Sequence, residues 1–110
     1  MIIIELDLAE VDLEAEGDYM SNKKQEEYAQ KLNQAMAVLN RVAEDNTTPR
    51  NIRRTAKQAS DILIDESLSI AARAANAIDL LDEISQDPNM PMYTRTRLWN
   101  VISFLEGIRD

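Results

Sequence analysis

Apolar residues recur at spacings of three and four positions through most of the chain after residue 20. Before Asp45, this spacing places seven of them on one face of an α-helix. They are Tyr28, Leu32, Ala35, Met36, Leu39, Val42 and Ala43. The pattern therefore predicts a first amphipathic helix from about Asn22 to Glu44, with Ser21 as its N-cap.

The same spacing predicts three further helices, over residues 49–65, 68–86 and 91–109. Thr48 and Ser67 are the expected caps of the second and third helices, and a proline opens the second and the fourth. The third helix is apolar around most of its circumference, which indicates contacts on more than one side. The predicted core positions of the second and fourth helices are Ile52, Ala56, Ala59, Leu63, Leu98, Val101, Ile102, Leu105 and Ile108, and Ile62 and Ile64 are expected to widen the buried line of the second helix.

The pattern Asp-x3-Pro-x3-Arg occurs twice, at residues 45–53 and 87–95, an offset of 42. Apolar residues match at the same offset, in the pairs Ala35 and Ala77, Leu39 and Leu81, Val42 and Ile84, Ala59 and Val101, Leu63 and Leu105. A period near 42 residues is typical of two-helix repeat units, and short connections make successive helices antiparallel. The sequence predicts an all-α, up-and-down four-helix bundle built from two related helical hairpins.

The charge is distributed unevenly along the chain. The formal net charge is −8, and residues 1–19 contain seven acids and no base. Residues 20–110 contain 13 acids and all 12 bases, so this part is nearly neutral. Such asymmetry marks an appended arm. The expected division is an acidic N-terminal arm or extension, residues 1–19, and a bundle domain, residues 20–110.

The local structure of the acidic arm is ambiguous from its pattern. Residues 4–8 alternate apolar and acidic side chains, which favours a strand or extended conformation in the first half. Ile2, Leu6, Ala9 and Leu13 fit a helical face equally well. The dipeptide Gly17-Asp18 is expected to end the segment.

The amino-acid composition argues against several kinds of catalytic and metal-binding chemistry. The chain has no His, the commonest general base and metal ligand, and no Cys. We therefore expect no enzyme activity, no metal, no cofactor and no small-molecule substrate. No apolar run approaches the ~20 residues that span a bilayer, and the start has no basic signal region. These features predict a cytoplasmic protein without a membrane association.

Cations crowd the starts of the second and fourth helices, where they oppose the helix dipole. They are Arg50, Arg53, Arg54, Lys57, Arg95 and Arg97, with Tyr93 beside the last two. Pairing with nearby carboxylates is the favoured interpretation for Arg53 and Arg95. For the others, pairing and the binding of a phosphate or RNA both stay open, and Tyr93 is a candidate RNA contact. In an up-and-down bundle, both clusters lie at one end.

The order Asp in the turn, Pro, then Arg in the next helix resembles the HEAT repeat unit. In HEAT repeats, the Asp and Arg tie neighbouring turns together. The resemblance implies that role for Asp45, Arg53, Asp87 and Arg95.

Residues 30–106 also resemble a small archaeal protein family of unknown function. The resemblance rests on the strings at residues 48–54, 71–78, 87–91 and 95–100. It implies an up-and-down four-helix bundle and no activity. The leading functional interpretation is a protein–protein interaction module, as a homodimer or with a protein partner. The alternative is a nucleic-acid- or ribosome-associated factor that binds phosphate through its arginines, with the acidic arm masking them.

Overall fold

The computed structural model describes the backbone of residues 2–109 and the side chains of residues 22–109. It contains the helices α1 (Ile2–Glu44), α2 (Arg50–Leu63), α3 (Ile70–Ile84) and α4 (Met92–Glu106), and no strand among the described residues. α1 packs against α2 and α4, and α3 packs against the same two helices. The predicted up-and-down four-helix bundle is confirmed. No helix in the described part of the chain has the length and apolarity to cross a bilayer.

α1 is much longer than the sequence pattern predicts. It begins at Ile2, so Ser21 lies inside it and is not an N-cap, and the strand or extended conformation favoured for residues 4–8 is wrong. Gly17-Asp18 does not end the helix either. The Glu, Leu and Ala residues on either side are good helix formers, and one glycine within a helix is only ~1 kcal/mol less favourable than an alanine. The side chains of residues 1–21 lie outside the described part, and the division at residue 19 stays a prediction.

The core confirms the predicted helix faces. The main line of core positions predicted for α2 and α4 is buried, whereas Ile62 is partly exposed and Ile64 is 58% exposed, so the prediction for Ile64 is wrong. Leu39 and Leu81, which correspond at the offset of 42, are both fully buried. The predicted pairs are all buried, apart from Ile84, which packs against the core while partly exposed. The two hairpins therefore share one core, and their repeat is structural as well as sequential.

Both prolines precede their helices instead of starting them. Pro49 and Pro91 are the N-caps of α2 and α4, without a side-chain cap bond. Thr48, expected to cap α2, is buried. At α3 the cap is Ser69, whose hydroxyl accepts a hydrogen bond from the Ala72 amide at 3.2 Å, and not Ser67.

One loop design connects the helices at all three turns, over residues 45–49, 65–69 and 87–91. In each, the opening aspartate accepts a hydrogen bond from the backbone amide two residues later, at 2.8–3.0 Å. Its carbonyl accepts another from the amide three residues later, at 3.0–3.2 Å. This is an Asx turn closed by a backbone turn. The middle turn does not match the pattern Asp-x3-Pro, because it has Ser69 where the other two turns have proline. Asp65 and Arg73 nevertheless have the same Asp-x7-Arg spacing as the other copies.

These hydrogen bonds favour the ionised aspartates. The hydroxyl and amide of Thr47 lower the pKa of Asp45, and those of Ser67 lower the pKa of Asp65. The Asn89 amide, followed by the Asn51 side chain, lowers the pKa of Asp87. The three turns are therefore held by carboxylates in their charged form.

Candidate functional site

The two proline turns lie side by side at one end of the bundle. The Asn51 amide nitrogen, in the first turn of α2, donates to Asp87 Oδ2 at 2.7 Å across 36 residues of chain. The prediction that the two arginine clusters share one end is thereby confirmed. The bond joining neighbouring turns comes from Asn51, a residue that the comparison with HEAT repeats does not single out.

Arg95 is bonded to the fold through carbonyl oxygens. Its Nε donates to the Ser85 carbonyl and its Nη2 to the Asp87 carbonyl, both at 3.0 Å. It therefore caps the end of α3 and the following turn. Among the described side chains, the ion pair found within 4.0 Å is Lys57 with Asp61, at 3.1 Å on the surface of α2. The turn aspartates and arginines are thus neighbours without direct carboxylate–guanidinium contacts.

Arg53 occupies the corresponding position in the first hairpin but is bonded less completely. Its Nη1 donates to Asn46 Oδ1 at 3.4 Å, and its buried Nε has no hydrogen-bond partner. The carbonyl equivalent to that of Ser85 belongs to Ala43, in the last turn of α1, and the Arg53 Nε does not bond to it.

A basic groove lies between the end of α1 and the start of α2. It has a volume of about 520 Å³ and is lined by Asn40, Ala43, Glu44, Arg50, Arg53, Arg54 and Lys57. The buried Ser60 hydroxyl donates to Asn40 Oδ1 at 3.2 Å and joins the two helices there. Four of the seven lining residues are cations and one is an acid. Arg50 and Arg54 are exposed, and no described carboxylate pairs with either.

The structure places Arg97 and Tyr93 outside this groove. The Arg97 guanidinium stacks over the Tyr93 ring, 4.4 Å from its centroid, and half of Tyr93 remains exposed. After the hydrogen bonds from Thr47, the Arg97 charge also contributes to the lowered pKa of Asp45. Arg97 and Tyr93 therefore flank the α1–α2 turn from the α4 side, at the same end as the groove.

A second groove, between α2 and α3, differs in charge. It has a volume of about 550 Å³, and no cation lines it, while Glu83 and Asp87 do. Among the described residues, no group of three acidic side chains is arranged to hold a metal ion. The basic groove is thus the chemically distinctive concavity of the described bundle.

α4 has an apolar solvent face. Met92 is 65% exposed and Trp99 51% exposed, one above the other on the helix. Trp99 thus lies beside the buried stripe of α4 and is half exposed, whereas Met90, in the turn before α4, is buried. Helical spacing alone does not resolve a residue at the edge of a buried stripe.

These features define a class of protein: a small all-α bundle of two related hairpins, joined by Asx-type turns, with a basic groove at one end. The chain belongs to UPF0147, an uncharacterised protein family whose sequence profile matches residues 19–108. The acidic segment before residue 19 lies outside that match.

Its relatives are archaeal proteins of similar size to the bundle. A UPF0147 protein of Metallosphaera sedula is 59% identical over 80 residues, covering 73% of this chain and 90% of the relative. A crystal structure of a family member from Thermoplasma acidophilum is 33% identical, with a TM-score of 0.72, and covers 76% of this chain and 99% of that one. The crystal structure of MMP1188, a protein of unknown function, is 45% identical with the same TM-score, covering 74% and 93%.

Proposed function

We propose that the protein is a cytoplasmic, non-enzymatic binding module that binds the phosphate backbone of single-stranded RNA in the basic groove. The observation that carries this proposal is the groove lining, in which four cations face one carboxylate. No ion pair with a described carboxylate neutralises Arg50, Arg53 or Arg54. Such a cluster binds phosphates by charge-assisted and bidentate hydrogen bonds.

The position of these cations adds to the argument. Arg50, Arg53 and Arg54 occupy the first two turns of α2, where each opposes the helix dipole at a cost of ~0.3–1 kcal/mol. α2 also begins without a side-chain cap, so its first amides are open to an external acceptor. A bound phosphate offsets both costs at once, because it accepts from these amides and neutralises the guanidiniums.

A polymer fits the arrangement better than an isolated phosphate does. Arg97 and Tyr93 lie outside the groove but at the same end of the bundle, where the Arg97 charge acts on Asp45 in the α1–α2 turn. Arg97 covers one face of the Tyr93 ring, and the ring is half exposed. Phosphates spaced along one strand can meet the groove while an unpaired base stacks on the exposed aromatic ring.

The test is direct binding of a labelled single-stranded oligouridine to residues 20–110 at ~50 mM salt, where phosphate contacts are strong. Arg50→Glu combined with Arg54→Glu is expected to abolish binding. The matched control is Lys23→Glu with Lys24→Glu, which makes the same change in charge at two exposed residues of the opposite end. An equal loss of oligouridine binding in the two double variants would show a general electrostatic attraction to the protein and not a specific site.

A second candidate function, the protein–protein interaction module, is favoured by the apolar face of α4. Met92 and Trp99 are the kinds of side chain enriched at protein interfaces. If this face binds a protein, Trp99→Ser with Met92→Ser removes a partner that co-purifies from the native host after nuclease treatment. The Arg50 and Arg54 variant then keeps that partner, whereas loss with nuclease treatment alone supports RNA.

A further inference from the structure

We propose that the acidic segment, residues 1–19, binds in the basic groove of a second copy of the chain, so that two chains exchange their segments. The inference rests on the groove of the proposed function, but it requires only the groove's charge and not RNA binding. Its first support is charge complementarity. The segment contains seven carboxylates and no base, and the groove contains four bases and one carboxylate.

The segment cannot reach the groove of its own chain. α1 is unbroken from Ile2 to Glu44, and its groove-lining residues, Asn40 to Glu44, are at its far end. Residue 19 precedes Asn40 by 21 positions, about 32 Å at ~1.5 Å per residue, and every earlier residue is farther away. The masking of the arginines by the arm of the same chain, expected from the sequence, is therefore incompatible with a continuous α1. A second copy has to supply the groove.

Pairing of two acidic segments with each other is electrostatically unfavourable. Each carries only negative charges, so side-by-side association of two segments brings like charges together. Binding to a groove brings opposite charges together instead.

The dimensions allow the exchange to be reciprocal. As a helix, the segment spans about 28 Å, and the part of α1 within the bundle, residues 22–44, spans about 35 Å, at ~1.5 Å per residue. When two chains lie antiparallel, the segment of each can therefore run beside the bundle of the other. Because both contacts are then identical, the pair closes on a twofold axis and does not grow into a filament.

The test is sedimentation velocity of the full chain at micromolar concentration and ~50 mM salt, where exposed charges are weakly screened. We expect a dimer for the full chain and a monomer for residues 20–110. The family profile matches residues 19–108, and the Thermoplasma acidophilum structure is covered over 99% of its length, so we expect residues 20–110 to fold without the segment. A monomeric full chain, or a dimer that survives removal of the segment, would overturn the inference.

Charge reversal tests the contact itself. Arg50→Glu with Arg54→Glu is expected to weaken dimerisation at least about tenfold, and Glu5→Lys with Glu10→Lys to weaken it similarly. Combining all four changes restores opposite charges and should recover the dimer. The control, Arg41→Glu with Arg109→Glu, alters two exposed residues outside the groove and should leave the dimer intact. Failure of the combined variant to recover any association contradicts the proposed pairing.

The outcome is separable from that of the proposed function. RNA binding is measured on residues 20–110, which lack the segment. Residues 20–110 could bind no RNA while the full chain forms a dimer that the combined charge reversal recovers. In that case the proposed function fails and the segment exchange stands. If residues 20–110 bind RNA and the full chain stays monomeric, the exchange is wrong. If both hold, a peptide of residues 1–19 displaces RNA from the groove.

Discussion

The starts of α2 and α4 show one scaffold carrying two different surfaces. The loops before them have the same hydrogen bonds, and the core positions behind them correspond at an offset of 42 residues. The solvent positions diverge. Arg50, Arg54 and Lys57 of α2 correspond to Met92, Thr96 and Trp99 of α4. The turn and core residues thus maintain the fold, and the solvent positions of the helix that follows distinguish the two hairpins.

The two equivalent arginines sharpen this difference. Arg95 makes two 3.0 Å bonds to carbonyl oxygens, whereas Arg53 makes one 3.4 Å bond and lines the groove. One copy of the motif therefore uses its cation to cap a helix end. In the other copy, the cation keeps one long bond to Asn46 and lines the groove.

The largest expected effect tests whether the hairpins are equivalent in the core. Leu39→Ala and Leu81→Ala remove fully buried side chains at corresponding positions. Each should lower the free energy of unfolding by about 2–5 kcal/mol, because a cavity remains. Chemical denaturation measures both, and Ile64→Ala, at a 58% exposed position, is the control. If only one of the two substitutions lowered the unfolding free energy by less than about 1 kcal/mol, the two hairpins would not be equivalent in the core.

The next effect separates the two arginines. Arg95→Met keeps much of the aliphatic stem but leaves the Ser85 and Asp87 carbonyls without their donor. We expect a loss of about 1–3 kcal/mol in unfolding free energy. Arg53→Met loses only one long bond and should cost less than about 0.5 kcal/mol. Equal costs would mean that Arg53 is as much a part of the fold as Arg95.

The turns should give the fold a common dependence on acid. The folded-state pKa values of Asp45, Asp65 and Asp87 are lowered from 3.8. Each carboxylate therefore contributes stability that is present above about pH 4 and is lost as pH falls through its folded-state pKa. Replacing all three by Asn should flatten the dependence of unfolding free energy on pH below about pH 4. An unchanged pH profile would show that the ionised form is not what holds the turns.

The smallest effect concerns a buried hydroxyl that distinguishes the copies. Thr94 is buried with no hydrogen-bond partner for its Oγ1, and the corresponding residue of α2 is the apolar Ile52. Thr94→Val removes the unpaired hydroxyl and is expected to be neutral or to stabilise by up to about 1 kcal/mol. A destabilisation above about 1 kcal/mol in thermal unfolding would indicate a hydrogen bond at this hydroxyl after all.

Sequence reasoning identified the helices and the core because their signal is periodic over many residues. It placed all three turns but recognised the shared motif in only two of them, because the search depended on proline and residue 69 of the middle turn is a serine. The difference in hydrogen bonding between Arg53 and Arg95 could not be predicted from the sequence. That difference depends on which oxygen atoms each guanidinium reaches, and a periodic pattern of apolar residues does not specify side-chain hydrogen bonds.

We propose that the groove at the start of α2 binds phosphate and that the same scaffold at the start of α4 does not. The most direct measurement is the salt dependence of oligouridine binding to residues 20–110. Each single-strand phosphate contact contributes about −0.7 to the slope of log K against log salt concentration, so the four groove cations predict about −2 to −3. Arg50→Glu with Arg54→Glu should abolish binding, and Met92→Ser with Trp99→Ser should leave the slope unchanged. No binding at ~50 mM salt, or a slope that the groove variant does not change, would contradict the claim.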